Sequence, residues 1–212
     1  MDTEVTLTDM GTLLDNIEVA PLDVGDLGVS SKDKDIFATQ QRKGWDKSIE
    51  ARCDFTRKVR LTRRGGVFFI SLWQKSVFGR TLTDIKADDS MVYFFAEQTS
   101  ELIKEIIGSS LDKGDWAICT SPKRRHLTKN FASRISEKMA EQLNIPFYED
   151  VAFCRSKQRV NAEYTLNVLP KERNIIVFDD FVTTGSTIGS MYRLLSQYGK
   201  NLIFFTGINN KL

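Results

Sequence analysis

Hydrophobic and polar positions fall into three regimes along the chain. Residues 1–40 show weak periodicity, and GDLGVSSKDKD (25–35) reads as loop. Lys58–Trp73, KVRLTRRGGVFFISLW, alternates cleanly in VRLT and less so in VFFISLW. With Arg-Gly-Gly at its centre, it predicts two strands of a β-hairpin. From about residue 90, helical and strand periods take turns. Phe94, Leu102, Ile103, Ile106 and Ile107 recur at helical spacing within Tyr93–Ile107, and Gly108 suits a C-terminal stop. Trp116–Thr120 is a short apolar strand. Phe131, Ile135, Met139 and Leu143 mark one face of a helix that Asn130 would cap and Asn144-Ile145-Pro146 would end. Phe147–Phe153 predicts a strand. Residues 154–173 are polar and basic with little period, which leaves a hairpin or a loop open. Ile175–Phe178 is apolar on both faces, as a buried parallel strand is. Ile188, Met191, Leu195 and Tyr198 mark another helix, stopped by Gly199, and Asn201–Thr206 is a last strand.

Alternating helices and strands predict an α/β, doubly wound domain with a mainly parallel sheet over residues 86–212. Residues 1–85 are then an N-terminal extension that contains the β-hairpin. At 212 residues the chain is long enough to bury a sizeable core. Its longest apolar runs, as in GGVFFI and NLIFF, are too short to span a bilayer, so no membrane association is expected. The acidic start lacks the features of a signal peptide, and a cytoplasmic protein is expected.

Three cysteines, Cys53, Cys119 and Cys154, lie far apart, and His126 is the single histidine. That pattern argues against a zinc site and fits a reducing compartment. His126 has no nucleophile motif to serve, so a hydrolase is poorly supported. Charge is unevenly distributed: residues 1–39 hold nine acids against two lysines, and residues 40–80 hold eleven basic residues against three acids. The basic block, with Trp45, Phe55, Phe68, Phe69 and Trp73, is a candidate nucleic-acid contact. A hairpin with one packed aromatic face and one charged face explains it more simply.

The most informative stretch is Asn174–Thr187, NIIVFDDFVTTGST. In an open α/β sheet, ligands bind beyond the carboxyl ends of the strands. Here such an end carries Asp179 and Asp180, and the loop Thr183-Thr184-Gly185-Ser186-Thr187 opens a helix. Free N–H groups at a helix N-terminus, the helix dipole and the hydroxyls together make a phosphate cradle. The paired carboxylates accept hydrogen bonds from sugar hydroxyls or bind a hydrated Mg²⁺. No Gly-Lys-Ser/Thr and no G-x-G-x-x-G accompanies them, which sets aside the Walker A and dinucleotide alternatives.

This stretch resembles the phosphoribosyl pyrophosphate (PRPP) motif of type I phosphoribosyltransferases. The resemblance implies that Asp179 and Asp180 bond the ribose 2′- and 3′-hydroxyls and that Thr183, Thr184, Gly185, Ser186 and Thr187 hold the 5′-phosphate. It implies Mg²⁺ as cofactor, held mainly by ligand and water with no direct protein ligands. The family's pyrophosphate loop would correspond to Ser121, Lys123, Arg124 and Arg125. Its basic catalytic hood loop would supply Arg155, Lys157 and Arg159. The region from Asp115 onward further resembles the competence-type branch, although that branch's Gly-Phe-Asn-Gln is replaced here by Lys129-Asn130-Phe131-Ala132. The family implies transfer of a 5-phosphoribosyl group to an acceptor, usually a nitrogenous base, with release of pyrophosphate. Thr183 stands where hypoxanthine–guanine enzymes place an acid. A homodimer is expected, with residues 1–85 as a candidate hood. The alternative is a non-catalytic sensor of PRPP or a nucleotide that contacts nucleic acid through residues 40–80.

Overall fold

The strand that carries the acidic pair is the middle of the molecule. In the computed structural model, which describes residues 51–122, 129–154 and 164–210, it runs over Asn174–Val182. The described residues all belong to the unit Trp45–Leu212. In chain order its strands are β1 (Arg52–Cys53), β2 (Arg60–Arg64), β3 (Val67–Gln74), β4 (Arg80–Thr81), β5 (Trp116–Thr120), β6 (Phe147–Tyr148), β7 (Ala152–Cys154), β8 (Tyr164–Leu166), β9 (Asn174–Val182) and β10 (Asn201–Asn209). The helices are α1 (Leu82–Ala87), α2 (Ser90–Ile107), α3 (Phe131–Leu143) and α4 (Ser186–Ser196). The central sheet has the order β2-β3-β10-β9-β5-β6, and every neighbouring pair is parallel except β2 with β3. Short antiparallel pairs β1-β4 and β7-β8 lie outside it. No helix among the described residues is long and apolar enough to cross a membrane.

Both faces of the sheet are covered, so its inner strands are apolar on both sides. Ile176, Phe178, Ile118 and Phe205 face α2 and α3, packing with Phe95, Ile103, Ile135 and Met139. Ile175, Val177, Ala117, Cys119 and Phe204 face α4, packing with Ile188, Met191 and Leu195. Each helix buries one side, but Ile106 of the expected α2 face is exposed, as is Tyr198, which lies beyond the end of α4. Asn130 caps α3 as expected: its side chain accepts from the Ser133 N–H at 2.8 Å, and Asn144 ends the helix at φ 52°. Gly108 ends α2 with φ 55°.

Several expectations are corrected. Phe147–Phe153 is not one strand: β6 pairs with β5 in the central sheet, whereas β7 pairs with β8 outside it. The described part of 154–173 is the returning arm of that hairpin. The hairpin over 58–73 forms, but its second arm is more than a hairpin arm. β3 lies parallel to β10 with Phe205 opposite Ile70 and Asn209 opposite Gln74, so residues before 85 supply two strands of the main sheet. β9 also continues past Phe178, so Asp179 and Asp180 lie within the strand and not after it.

Alternation slips by one residue along a line crossing three strands. Ile70, Phe205 and Phe178 are in register and face α2; Trp73, Ile208 and Phe181, three residues further on, are also in register and also pack with that core. A regular strand would turn the second row to the other face. Phe95 of α2 fills the crease, with ring centroids 4.7 Å from Trp73, 5.5 Å from Phe131 and 6.5 Å from Phe181. Gly207 makes room for it: a Cβ there would lie 2.6 Å from Phe95 Cε1 and 2.8 Å from the Asp180 carbonyl oxygen. Gly207→Ala is expected to cost about 1–3 kcal/mol as overpacking. Urea unfolding checks this: the midpoint falls while the m-value is unchanged.

Candidate functional site

Strand lengths create the site. β5 ends at Thr120, opposite Phe178, and the Ser121 N–H closes the pairing by donating to the Phe178 carbonyl at 3.1 Å. Beyond that point β9 is paired only with β10, through Asp179 opposite Thr206 and Val182 opposite Asn209. The chain leaves β5 outward to β6 and leaves β9 in the opposite direction to β10, so the gap between β5 and β9 is a topological switch point, where α/β sheets bind ligands.

Asp179 and Asp180 flank this gap, both half-buried. Asp180, two positions beyond Phe178, lies on the same face, the α1 side. There its Oδ1 accepts from the Phe181 N–H at 2.9 Å and its Oδ2 pairs with Lys86 Nζ at 2.8 Å. Lys86 also sits over the Phe181 ring, 4.6 Å from its centroid.

The loop after β9 leads into α4. Thr183, Thr184 and Ser186 are exposed and Thr187 is half-buried, so three hydroxyls face solvent. Gly185 occupies the N-cap position at φ 77° and makes no side-chain cap; Ser186 N–H reaches Thr184 Oγ1 only at 3.4 Å. The N-cap of this helix thus lacks a side-chain acceptor of the kind Asn130 provides for α3. Across the gap, Ser121 is buried, and its Oγ has no hydrogen-bond partner among the described residues. A buried hydroxyl without a partner costs stability unless a ligand or water meets it.

Of the other expected site residues, Lys123, Arg124, Arg125, Arg155, Lys157 and Arg159 lie outside the described residues, as does His126. Among the described residues no group of three or more His, Cys, Asp or Glu side chains gathers to hold a metal. Burial pushes the Cys53 thiol up to about 11 and the Cys119 thiol up to about 12, so neither is a nucleophile at neutral pH.

Two residues escaped the sequence reading. One is Lys86. The other is Arg64, at the end of β2. Its guanidinium donates to the carbonyls of Val182 and Thr183 and to Asn209 Oδ1, and it lies over the Phe69 ring at 5.5 Å. Burial draws its pKa down, but a guanidinium stays charged. In sequence Arg64 is one of two arginines before Gly-Gly, and nothing local ties it to residues 118 positions away. The basic block as a nucleic-acid platform loses several of its parts: Phe69 and Trp73 are buried, Arg57 pairs with Glu105 and Arg80 with Asp88.

No family model matches the chain, and no curated protein matches it. Its fold is similar to those of solved structures. An adenine phosphoribosyltransferase is 14% identical, with 74% of this chain and 87% of that one covered at a TM-score of 0.46. The Saccharomyces cerevisiae adenine phosphoribosyltransferase is 14% identical, with 78% and 89% covered at 0.44. Orotate phosphoribosyltransferase from Aeropyrum pernix is 18% identical, with 76% and 75% covered at 0.37. Overlaps this loose assign no residue a role.

The Lys86–Asp180 pair is open to water on the lysine side, where the side chain is 47% exposed. Partly exposed pairs of this kind contribute about 0.2–1 kcal/mol. Lys86→Met is therefore expected to lower the unfolding free energy by less than about 1 kcal/mol, read from urea denaturation. A larger loss would make the pair a strut of the fold and not an adjustable part of the site.

Proposed function

We propose that the chain binds PRPP with Mg²⁺ at the switch point and transfers its 5-phosphoribosyl group to an acceptor, a nitrogenous base, releasing pyrophosphate. One observation carries this reading: adjacent carboxylates and a helix N-terminus with glycine at its N-cap follow one another along β9 and its loop at the switch point. Few ligands other than a sugar phosphate need an acceptor pair and an anion cradle a few residues apart.

In this reading Asp179 and Asp180 accept from the ribose 2′- and 3′-hydroxyls. Thr183, Thr184, Gly185, Ser186 and Thr187 donate to the 5′-phosphate from backbone and hydroxyls. Ser121 Oγ gains a partner in the pyrophosphate, with Lys123, Arg124 and Arg125 beside it. The bond from an acceptor nitrogen to C1 forms as the C1–O bond to pyrophosphate breaks, and the electron pair leaves on pyrophosphate. Cations of the loop and of the hood, Arg155, Lys157 and Arg159, stabilise that leaving charge. The carboxylates orient the ribose and favour the positive charge developing at C1. Mg²⁺ supplies further neutralisation of pyrophosphate. The two carboxylates are suitable oxygen donors to such an ion or to its waters. Since Arg60–Gln74 is built into the sheet, a hood over the acceptor falls to other parts of residues 1–85.

Isothermal titration of PRPP with Mg²⁺ tests the reading. The wild type is expected to bind, and Asp179→Asn/Asp180→Asn to bind more than about tenfold more weakly, since hydrogen bonds to charged acceptors contribute roughly 1.5–3 kcal/mol each. Binding would justify screening bases for pyrophosphate release. A folded wild type that does not bind PRPP would refute the proposal.

A further inference from the structure

Arg64 stands behind the phosphate loop, not in it. Its guanidinium is bonded to two successive carbonyls, those of Val182 and Thr183. The Val182 carbonyl also accepts from the Asn210 N–H at 2.8 Å. All the described peptide bonds are trans, and a trans peptide points its C=O and its N–H in opposite directions. Fixing those two carbonyls therefore aims the N–H groups of Thr183 and Thr184 to the opposite side. The aliphatic stem acts as well: a Cβ on Gly185 would lie 2.9 Å from Arg64 Cβ, so the loop can close onto Arg64 only with glycine there. Arg64 is itself anchored. It bonds Asn209, whose Nδ2 donates to Gln74 Oε1 at 3.0 Å, and Gln74 Nε2 donates to Ser71 Oγ at 2.9 Å and to the Lys58 carbonyl at 3.1 Å.

We propose that Arg64 is the positioning residue of the anion loop: reaching across from the hairpin, it holds the loop's carbonyls and so presents the loop's N–H groups to a phosphate monoester. This rests on the reading of residues 183–187 as a phosphate cradle and adds a residue to it. Lysine cannot replace arginine, because a single ammonium cannot bridge two carbonyls and the Asn209 amide in one plane.

The test compares ribose 5-phosphate with magnesium pyrophosphate as calorimetric probes on wild type, Arg64→Ala and Arg64→Lys, with circular dichroism as the folding control. Arg64→Ala is expected to weaken ribose 5-phosphate about tenfold or more, the loss of roughly one charge-assisted hydrogen bond in the loop's order. Magnesium pyrophosphate, read by the opposite loop, is expected to bind as to wild type. Methylguanidinium in the buffer is expected to restore part of the ribose 5-phosphate affinity. Arg64→Lys is expected to behave like Arg64→Ala, and it decides the matter should the alanine variant not fold. Wild-type affinity for ribose 5-phosphate in the folded variants would overturn the inference and leave the site standing. Equal losses for both probes without rescue would reduce Arg64 to a structural role. A wild type that binds PRPP but not ribose 5-phosphate would also overturn it. One that binds neither would remove the phosphate cradle and this inference together.

Discussion

The crease across β3, β10 and β9 is the constraint on which the rest depends. Three strands break their alternation at the same level, so the break cannot be absorbed by one loop; it is part of the sheet. Phe95 is what holds it there. Its ring contacts Phe55, Trp73, Phe94, Phe131 and Phe181, a set that draws on β3, α2, α3 and β9. Burying such a ring is worth about 1.5–3 kcal/mol, and each edge-on pair adds about 0.5–1.5 kcal/mol. Gly207 follows as a consequence, since the ring occupies the space its side chain would take. The turned-over backbone then keeps Phe181 packed in the core beside Asp180, which reaches toward α1.

Beyond the crease, pairing becomes one-sided, and polar backbone and side chains must find other partners. On the β10 side the ladder continues to Val182. On the β5 side it stops at Thr120, and the space left over is bordered by Ser121, Asp179 and Asp180. At the end of the strand the Val182 and Thr183 carbonyls are taken by Arg64. The loop is thus held from behind by Arg64, while Thr183, Thr184 and Ser186 are exposed. That asymmetry distinguishes it from an ordinary helix start such as that of α3, where Asn130 closes the N-terminus from within.

Local patterns in the sequence were enough for the α-helices of two turns or more among the described residues. α2 and α3 have one apolar face each, and both have the stop signals that their dihedral angles require, at Gly108 and Asn144. The strand Ile175–Phe178 was legible because it is apolar on both faces. Its extension to Val182 was not, because Asp179 and Asp180 look like an ending, and only the neighbour β10 keeps them in a strand. β3 was read as a hairpin arm because a hairpin is a local event, whereas its pairing with β10 joins residues over 130 positions apart. The candidate site splits in the same way. The acids, hydroxyls and Gly185 are contiguous and carry a recognisable spacing. Arg64 and Lys86 are made part of the site by tertiary contacts alone, and no spacing rule finds them.

Those two cations settle an electrostatic difficulty that the acidic pair creates. In the proposed reading, two carboxylates beside a phosphate cradle would repel the anion that the cradle attracts. At about 4 Å and an effective dielectric near 20, a single such contact is worth on the order of 4 kcal/mol. Lys86 sits directly on one carboxylate, and Arg64 places a fixed positive charge behind the loop without occupying it. Arg64 bonds the loop through its carbonyls, and Thr183, Thr184 and Ser186 stay exposed. In that reading the acids act as hydrogen-bond acceptors while the nearby cations favour an anion. A site built from the motif alone, without a counter-charge on each side, would set its own acceptors against its ligand.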